Sequence, residues 1–396
     1  MSAVVSLNAG SSSIKFAVFT LDRDHVPTLS GGGKIERIGM APILTIRSVD
    51  GTVIEQKTWK DGQALTHAEL LSWLFDWARI HLDGREIAAI GHRVVHGGPD
   101  FAVPRLVDEA LLGKLESFNA LAPLHQPHNL AAISAIAKLA PGLPQVACFD
   151  TAFHHDRPRI ATRFAIPRAL HDQGIRRYGF HGLSYEYISK RLAELDPGLA
   201  AGRVIAAHLG NGASLCAMAS GRSVDTTMGF TALDGLVMGT RCGAIDPGVV
   251  LHLQTQVGMT AHQVESLLYK QSGLLGVSEL SSDMRALSAS DRPEAQEAIE
   301  LFCWRAAREM GALAATLGGV DGVVFTAGIG ENHADVRARI CRRLEWLGAR
   351  LCETANARGE PVISLPDSKI KLWVIPTDEE RMIALHTASL LQDGAR

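Results

Sequence analysis

Residues 6–19 read SLNAGSSSIKFAVF. An apolar strand enters Asn8-Ala-Gly-Ser-Ser-Ser13 and leaves as a second strand carrying a single lysine, Lys15. Two turn residues suffice to close a β-hairpin. Here the bend holds six small residues, rich in backbone donors and hydroxyls, a composition that lets a backbone approach an oxyanion closely. The pattern returns in RVIAAHLGNGASLCAM (203–218), again strand, glycine-rich turn and strand. Leu7-Asn8-Ala9-Gly10-Ser11-Ser12 can be laid on Leu209-Gly210-Asn211-Gly212-Ala213-Ser214, a separation of 202 residues. A third such turn, GIGEN (328–332), follows the apolar strand DGVVFTAG. The expected fold is α/β, with two similar duplicated domains, each opening on a phosphate-sized turn, and a ligand cleft between them.

The rest of the chain fits that frame. HAELLSWLFDWARIH (67–81) carries Leu70, Leu74 and Trp77 at helical spacing. AAIGHRVVHGG is a β-branched strand, HNLAAISAIAKLAPG a helix with Leu130, Ile133 and Ala137 on one face, and QVACFD a buried strand ending in Asp150. A long helix is expected around 293–317, an amphipathic helix in HADVRARICRRLEWLG, and a last strand in KLWVIPT. The 396 residues are enough for two domains with ample core. The 38 glycines exceed an average share and point to tight loops near ligands. A net charge of −3 disfavours a nucleic-acid or membrane-surface partner, both of which want a basic excess. Six scattered cysteines without a CxxC pair read as reduced thiols. No stretch reaches the ~18–20 apolar residues of a membrane span, and no basic segment leads into a signal-like run, so a cytoplasmic protein is expected.

The common nucleotide signatures are absent. SGGGKIE (30–36) lacks the hydroxyl that follows the P-loop lysine, and GNGASL and GIGENH lack the third glycine of the dinucleotide fingerprint. Three glycine turns, each after an apolar strand, favour a polyphosphate cradle over ordinary hairpins. In GHRVVHGG, strand alternation puts His92, Val94 and His96 on one face and Arg93 with Val95 on the other. A guanidinium beside a small apolar surface suits a carboxylate with a short alkyl tail, though an edge-strand arginine at the surface reads the same. Asp150 ends a buried strand, where α/β ligand sites lie; it could orient a nucleophile, bind a metal through water or cap a helix. RRYGFHGLS gathers Arg176, Arg177 and His181, and VMGTRCGAIDPG holds Arg241 on a glycine-flanked loop. Asp378, Glu379 and Glu380 read most simply as the acidic start of a helix, and His154-His155-Asp156 as an incidental pair of histidines. These features point to phosphoryl transfer to or from a small acid.

SLNAGSSSIK and GHRVVHGG resemble the two signature segments of the acetate kinase family. The resemblance runs in order through LAPLH, FDTAFH, RRYGFHG, HLGNGAS, VDTTMGFT, GLVMGTR, GLLGVS, SSDMR, AGIGEN and IPTDEE, essentially the whole chain. It implies two actin-like, ribonuclease-H-like domains with nucleotide in the cleft: 1–149 plus 380–396 for the acyl substrate and Mg2+, and 150–379 for the nucleotide. It implies reversible transfer of the ATP γ-phosphoryl group to acetate, by direct in-line displacement, in a homodimer that uses Mg2+ or Mn2+. By motif, Asp150, His181 and Arg241 would be catalytic. Arg93 would hold the carboxylate, with Val95, Leu124, His125, Phe180 and Ala232 around the acyl group. Asn8 and Glu379 would bear on the metal. Lys15, His208, Leu209, Gly210, Asn211, Gly212, Asp283, Met284, Arg285, Gly328, Ile329, Gly330, Glu331 and Asn332 would bind ATP.

The chain departs from the family pattern at several positions. Ala232 stands where a proline usually follows Gly-Phe-Thr and helps to wall the acyl pocket, which makes a propionate or butyrate kinase the nearest alternative. The usual HGTSH reads HGLSY, with Leu183 and Tyr185, and Glu279 stands in place of a glycine. A nucleotide-binding module without chemistry would not need an arginine beside an acyl pocket, and a sugar kinase would want several polar groups for hydroxyls.

Overall fold

The computed structural model describes residues 2–59, 65–81, 85–123 and 125–394. Two compact units emerge: Met1–Ala152 with Asp378–Arg396, and Phe153–Thr377. Asp150 and Glu379 therefore belong to the first unit, a few residues away from the expected boundaries. Asp150 is held there by its backbone, whose N–H donates to Val94 O at 3.0 Å, and Thr151 accepts from the Gly97 N–H.

The first unit is built on an eight-stranded sheet of order β5-β4-β3-β2-β1-β6-β8-β7. The strands are β1 (Ala3–Ala9), β2 (Ser13–Leu21), β3 (Pro27–Glu36), β4 (Ile43–Ser48), β5 (Val53–Thr58), β6 (Ile87–Val94), β7 (Arg105–Leu106) and β8 (Gln145–Phe149). The second unit has a five-stranded sheet, β11-β10-β9-β12-β13. Its strands are β9 (Arg203–Leu209), β10 (Ala213–Ala219), β11 (Arg222–Thr226), β12 (Gly322–Thr326) and β13 (Lys371–Val374).

The duplication is legible in this topology. β1 is antiparallel to β2 and parallel to β6, which is parallel to β8. β9 is antiparallel to β10 and parallel to β12, which is parallel to β13. β3 and β11 extend the two sheets antiparallel to β2 and β10. Because β1 spans Ala3–Ala9 and β9 spans Arg203–Leu209, the structural repeat is 200 residues, not 202. Gly10 thus corresponds to Gly210, and each closes its hairpin through its own N–H, to Ser13 O at 2.8 Å and to Gly212 O at 3.1 Å. The motif match had aligned similar compositions rather than equivalent backbone positions.

Strands β3–β5 were not foreseen, because Gly31-Gly32-Gly33 in SGGGKIE reads as a loop. The glycines answer to strand packing: a Cβ at Gly33 would lie 2.5 Å from Thr45 O and 2.8 Å from Phe16 Cζ. The helices His67–His81 and Pro293–Leu317 fall where periodicity puts them. The first buries Leu70, Leu71 and Leu74 in a core with Ile14, Phe16, Leu44, Ile90 and Ile136. In the helix Gln126–Leu139 the buried face holds Leu130, Ile133 and Ile136, while Ala137 is exposed. GIGEN is not a turn but lies in the short helix Ala327–Asn332. Among the described residues no helix is long and apolar enough to cross a membrane.

Candidate active site

In the first unit, the parallel register of β1, β6 and β8 brings their C-terminal ends side by side, with Leu7 opposite His92 and Arg93 opposite Cys148. Asn8, Arg93 and Asp150 follow from that register, at the sheet edge where α/β folds place ligands. Arg93 Nε donates to Asp150 Oδ2 at 3.0 Å and Nη2 donates to the same oxygen. Its Nη1 reaches Asn8 Oδ1 at 3.4 Å, and Glu379 Oε2 lies 3.7 Å from Nε. Asp150 is 1% exposed. Burial works against the Arg93 charge, but Asp150 and then Glu379 outweigh it and hold its pKa above the ordinary value. Burial raises the Glu379 carboxyl above its usual range, against the pull of Arg93. Glu379 does open a helix, Glu379–Gly394, as its sequence reads; contact with Arg93 is what tertiary packing adds.

The segment after β6 is clamped by two amides that sequence reasoning did not single out. Asn129 Oδ1 accepts the Val95 N–H at 3.0 Å, and its Nδ2 donates to Ala9 O at 2.6 Å. Gln126 accepts from His96 N and donates to His96 O, both at 3.0 Å. Val95, the first residue after β6, is buried. His125 takes the N-cap position of the helix Gln126–Leu139, and Leu124 lies outside the described residues. Lys15 is exposed on β2, 3.9 Å from Glu380 Oε1.

In the second unit, a cavity of about 770 Å³ is lined by Gly210, Asn211, Ser282, Asp283, Met284, Arg285, Gly328, Ile329, Asn332 and His333. Three segments of the chain, 210–211, 282–285 and 328–333, thus meet in one pocket, including eight of the residues expected to bind nucleotide. Ser282 and His333 were missed; each adjoins an expected motif. Asp283 Oδ1 accepts the Arg285 N–H at 2.8 Å, and its Oδ2 takes Arg285 Nη2 at 2.7 Å, a pairing that lowers the carboxyl pKa. Leu209 and Glu331 do not line this pocket. Leu209 is fully buried in β9. Glu331 Oε1 accepts the N–H groups of Ala327 at 2.7 Å and Thr377 at 3.1 Å, tying two loops together. Gly330 accepts Arg337 Nη1 through its carbonyl.

Beside this pocket stand Arg241 and His181. A Cβ placed at Gly212 would be 2.7 Å from Arg241 Nη2 and 3.2 Å from His181 Nε2, so both groups converge on one point. Gly212 immediately follows the pocket residues Gly210 and Asn211. Arg241 Nη1 is anchored on Ala232 O at 2.6 Å. His181 is left-handed, with φ 58°, at the start of the helix Gly182–Leu195, a conformation that costs about 1–2 kcal/mol for a residue with a Cβ. Its ring stacks on His208 with centroids 4.1 Å apart, and its Nδ1 lies 2.8 Å from Ser214 Oγ. His208 therefore backs His181 rather than lining the pocket. Phe180 is buried next to it, and its carbonyl accepts from His154 Nε2 at 2.9 Å. Arg177 is spent on Thr226 O at 2.8 Å.

His92, His96 and His154 are buried, and burial depresses their pKa values to about 4, about 3 and about 3. All three are neutral in the folded chain at pH 7, and unfolding returns them to about 6.5. Below pH 6.5 the unfolded state binds more protons than the folded one. Stability present at neutral pH is therefore lost as pH falls toward 4, by up to ~1.4 kcal/mol per pH unit for each histidine. Urea midpoints measured at pH 7, 6 and 5 should fall steadily; a flat series would contradict the neutral assignment.

The fold and these two clusters define a duplicated actin-like α/β protein with a nucleotide-sized pocket. The family model described as "Acetokinase family" matches residues 3–385, so the chain belongs to that family. It is 53% identical over 392 residues to an acetate kinase of Rhodopseudomonas palustris, covering 98% of each chain. Its structure is similar to that of Porphyromonas gingivalis acetate kinase, with a TM-score of 0.87, 36% identity and 99% and 100% coverage. It is also similar to a propionate kinase of Francisella tularensis, with a TM-score of 0.90, 38% identity and 98% and 99% coverage.

Proposed function

We propose that this protein is an enzyme that reversibly transfers the γ-phosphoryl group of ATP to acetate, giving acetyl phosphate and ADP by in-line displacement. The observation that carries this reading is the convergence of Arg241 and His181 over Gly212, one residue beyond the pocket lining of Gly210 and Asn211. The second unit binds ATP in that pocket and the first unit binds acetate at Arg93. A phosphoryl group in flight spreads charge over its equatorial oxygens, so positioned cations matter more than covalent chemistry. Acetate is ionised at neutral pH and attacks without a strong general base. Asp150 holds two guanidinium donors of Arg93, orienting the remaining ones for the substrate carboxylate.

Mg2+ takes oxygen ligands, usually one or two from the protein with phosphate oxygens and waters. Asn8 Oδ1 and the Glu379 carboxylate fit that donor set, and both approach Arg93. They would hold the ion, which when bound neutralises charge on the phosphates. Hydroxylamine trapping of acyl phosphate from MgATP and acetate tests the activity directly. Hydroxamate formation supports it; tight ATP binding with no hydroxamate from any short acid would turn the reading toward a binding module.

A second reading, use of propionate, rests on Ala232. Its carbonyl anchors Arg241, so its side chain can change without removing that anchor. One methylene is worth only ~1–3 kcal/mol of discrimination. Ala232→Pro should raise the kcat/KM preference for acetate over propionate; equal selectivity in both proteins would end that reading.

The protein works as a cytoplasmic homodimer in this reading. The helix Pro247–Thr255 supports the dimer: none of its residues is buried, although Val249, Val250, Leu251 and Leu253 are apolar. Leu251→Glu should shift the mass measured by light scattering toward monomer, and an unchanged mass would exclude this helix from the interface.

A further inference from the structure

Tyr185 is an unexplained residue beside the reacting centre. It is fully buried, its sequence departs from the family motif, and its hydroxyl touches neither pocket nor loop. Instead Tyr185 Oη lies 2.5 Å from Ser214 Oγ, and Ser214 Oγ lies 2.8 Å from His181 Nδ1. Among side-chain groups of the described residues, Tyr185 Oη and His181 Nδ1 are the hydrogen-bond partners of Ser214 Oγ, and the His208 backbone also hydrogen-bonds the Tyr185 hydroxyl.

The direction of the chain follows from counting protons. Burial pushes the phenol pKa well above its ordinary value, so the phenol keeps its proton. A buried O–H without an acceptor is destabilising, and the acceptor in reach is Ser214 Oγ. Ser214 then has its own proton to give, and His181 Nδ1 is the remaining partner. An imidazole nitrogen that accepts carries no proton while the ring is neutral, so the proton resides on Nε2. That nitrogen is the one converging with Arg241 Nη2 over Gly212. The His208 stack fixes the plane of the ring, and His208 is itself held through Nδ1 to Ser184 Oγ at 2.8 Å, which Thr377 Oγ1 meets at 2.9 Å.

We propose that Tyr185 is a positioning residue: through Ser214 it holds His181 in the Nε2–H tautomer, with that donor aimed at the transferring phosphoryl group. The inference rests on the reading of His181 as a phosphoryl contact. With the relay intact, the ring enters the transition state as a pre-oriented donor. Without it, the Nδ1–H tautomer becomes accessible and presents a lone pair to an anion.

The test is a double-mutant cycle with a spectroscopic arm. Tyr185→Phe should lower kcat by ~10- to 100-fold, the scale on which partners that orient a catalytic group act, with the KM values for ATP and acetate little changed. In a His181→Ala background the same substitution should produce no further loss. Long-range 1H–15N spectra should show His181 protonated at Nε2 in the parent protein and a tautomer mixture in Tyr185→Phe. Ser214→Ala breaks the same relay while leaving the Tyr185 ring in place, and it carries the test if Tyr185→Phe does not fold. Equal losses in both backgrounds, or an Nδ1–H tautomer in the parent protein, would overturn the relay. Parent-level kcat in His181→Ala alone would instead overturn the role of His181, whatever the tautomer.

Discussion

Replacing Arg241 by alanine should lower kcat for acetyl phosphate formation on the order of a thousandfold or more, with ATP affinity little altered. The geometry separates the two effects. Arg241 is absent from the lining of the pocket proposed for ATP, so in that reading ground-state binding of the base and ribose does not depend on it. Its Nη2 instead converges with His181 Nε2 over Gly212, and Nη1 is tied to Ala232 O. A cation aimed in this way at the migrating group acts mainly in the transition state, and its loss appears in kcat rather than in binding. Stopped-flow nucleotide titration beside hydroxamate assays measures both. A large fall in ATP affinity with kcat preserved would assign Arg241 to nucleotide binding instead.

Arg93→Ala should act on the other substrate. The KM for acetate should rise about a hundredfold, which corresponds to losing about 3 kcal/mol of charge-assisted hydrogen bonding. The KM for ATP should change little, because Arg93 belongs to the first unit and the pocket proposed for ATP to the second. The variant also removes the guanidinium that Asp150 accepts from, and breaking a buried ion pair destabilises by about 3–5 kcal/mol when fully enclosed. Arg93 itself keeps 20% of its side chain exposed, so solvent screening makes the loss smaller than that range. Initial-rate kinetics with each substrate varied in turn, beside thermal melts, separates binding from folding. An unchanged acetate KM would remove Arg93 from the acyl site.

Elements with strong local signals were readable in advance. The helix His67–His81 and the helix Pro293–Leu317 follow from apolar spacing, because a 3.6-residue period needs no knowledge of the partner surface. The two hairpins β1–β2 and β9–β10 follow from apolar runs broken by glycine. Strands β3–β5 did not, since Gly31, Gly32 and Gly33 have poor strand propensity and answer to the close approach of Arg47, of Phe16 with Ala17, and of Thr45 with Phe16 respectively, which only packing reveals. Likewise Ala137 fits the expected helix face by spacing, yet Ile136 is the residue that packs inward.

Site residues divide in the same way. Gly210, Asn211, Asp283 and Gly328 sit in motifs whose composition betrays a ligand loop. Asn129 and Gln126, which clamp the segment after β6, lie inside an ordinary amphipathic helix and carry no local mark. The sequence by itself determined the duplicated α/β plan and marked the glycine-rich loops and charged groups from which the proposed site is built, because turn chemistry and periodicity are local properties. Only the tertiary structure decided the 200-residue register of the repeat, the diversion of Glu331 and Leu209 from the pocket to the framework, and the Tyr185–Ser214–His181 relay. Those depend on which backbone groups and buried protons face one another once distant stretches of chain pack together, and hydrogen-bond satisfaction in a closed core is settled by packing, not by neighbours in sequence.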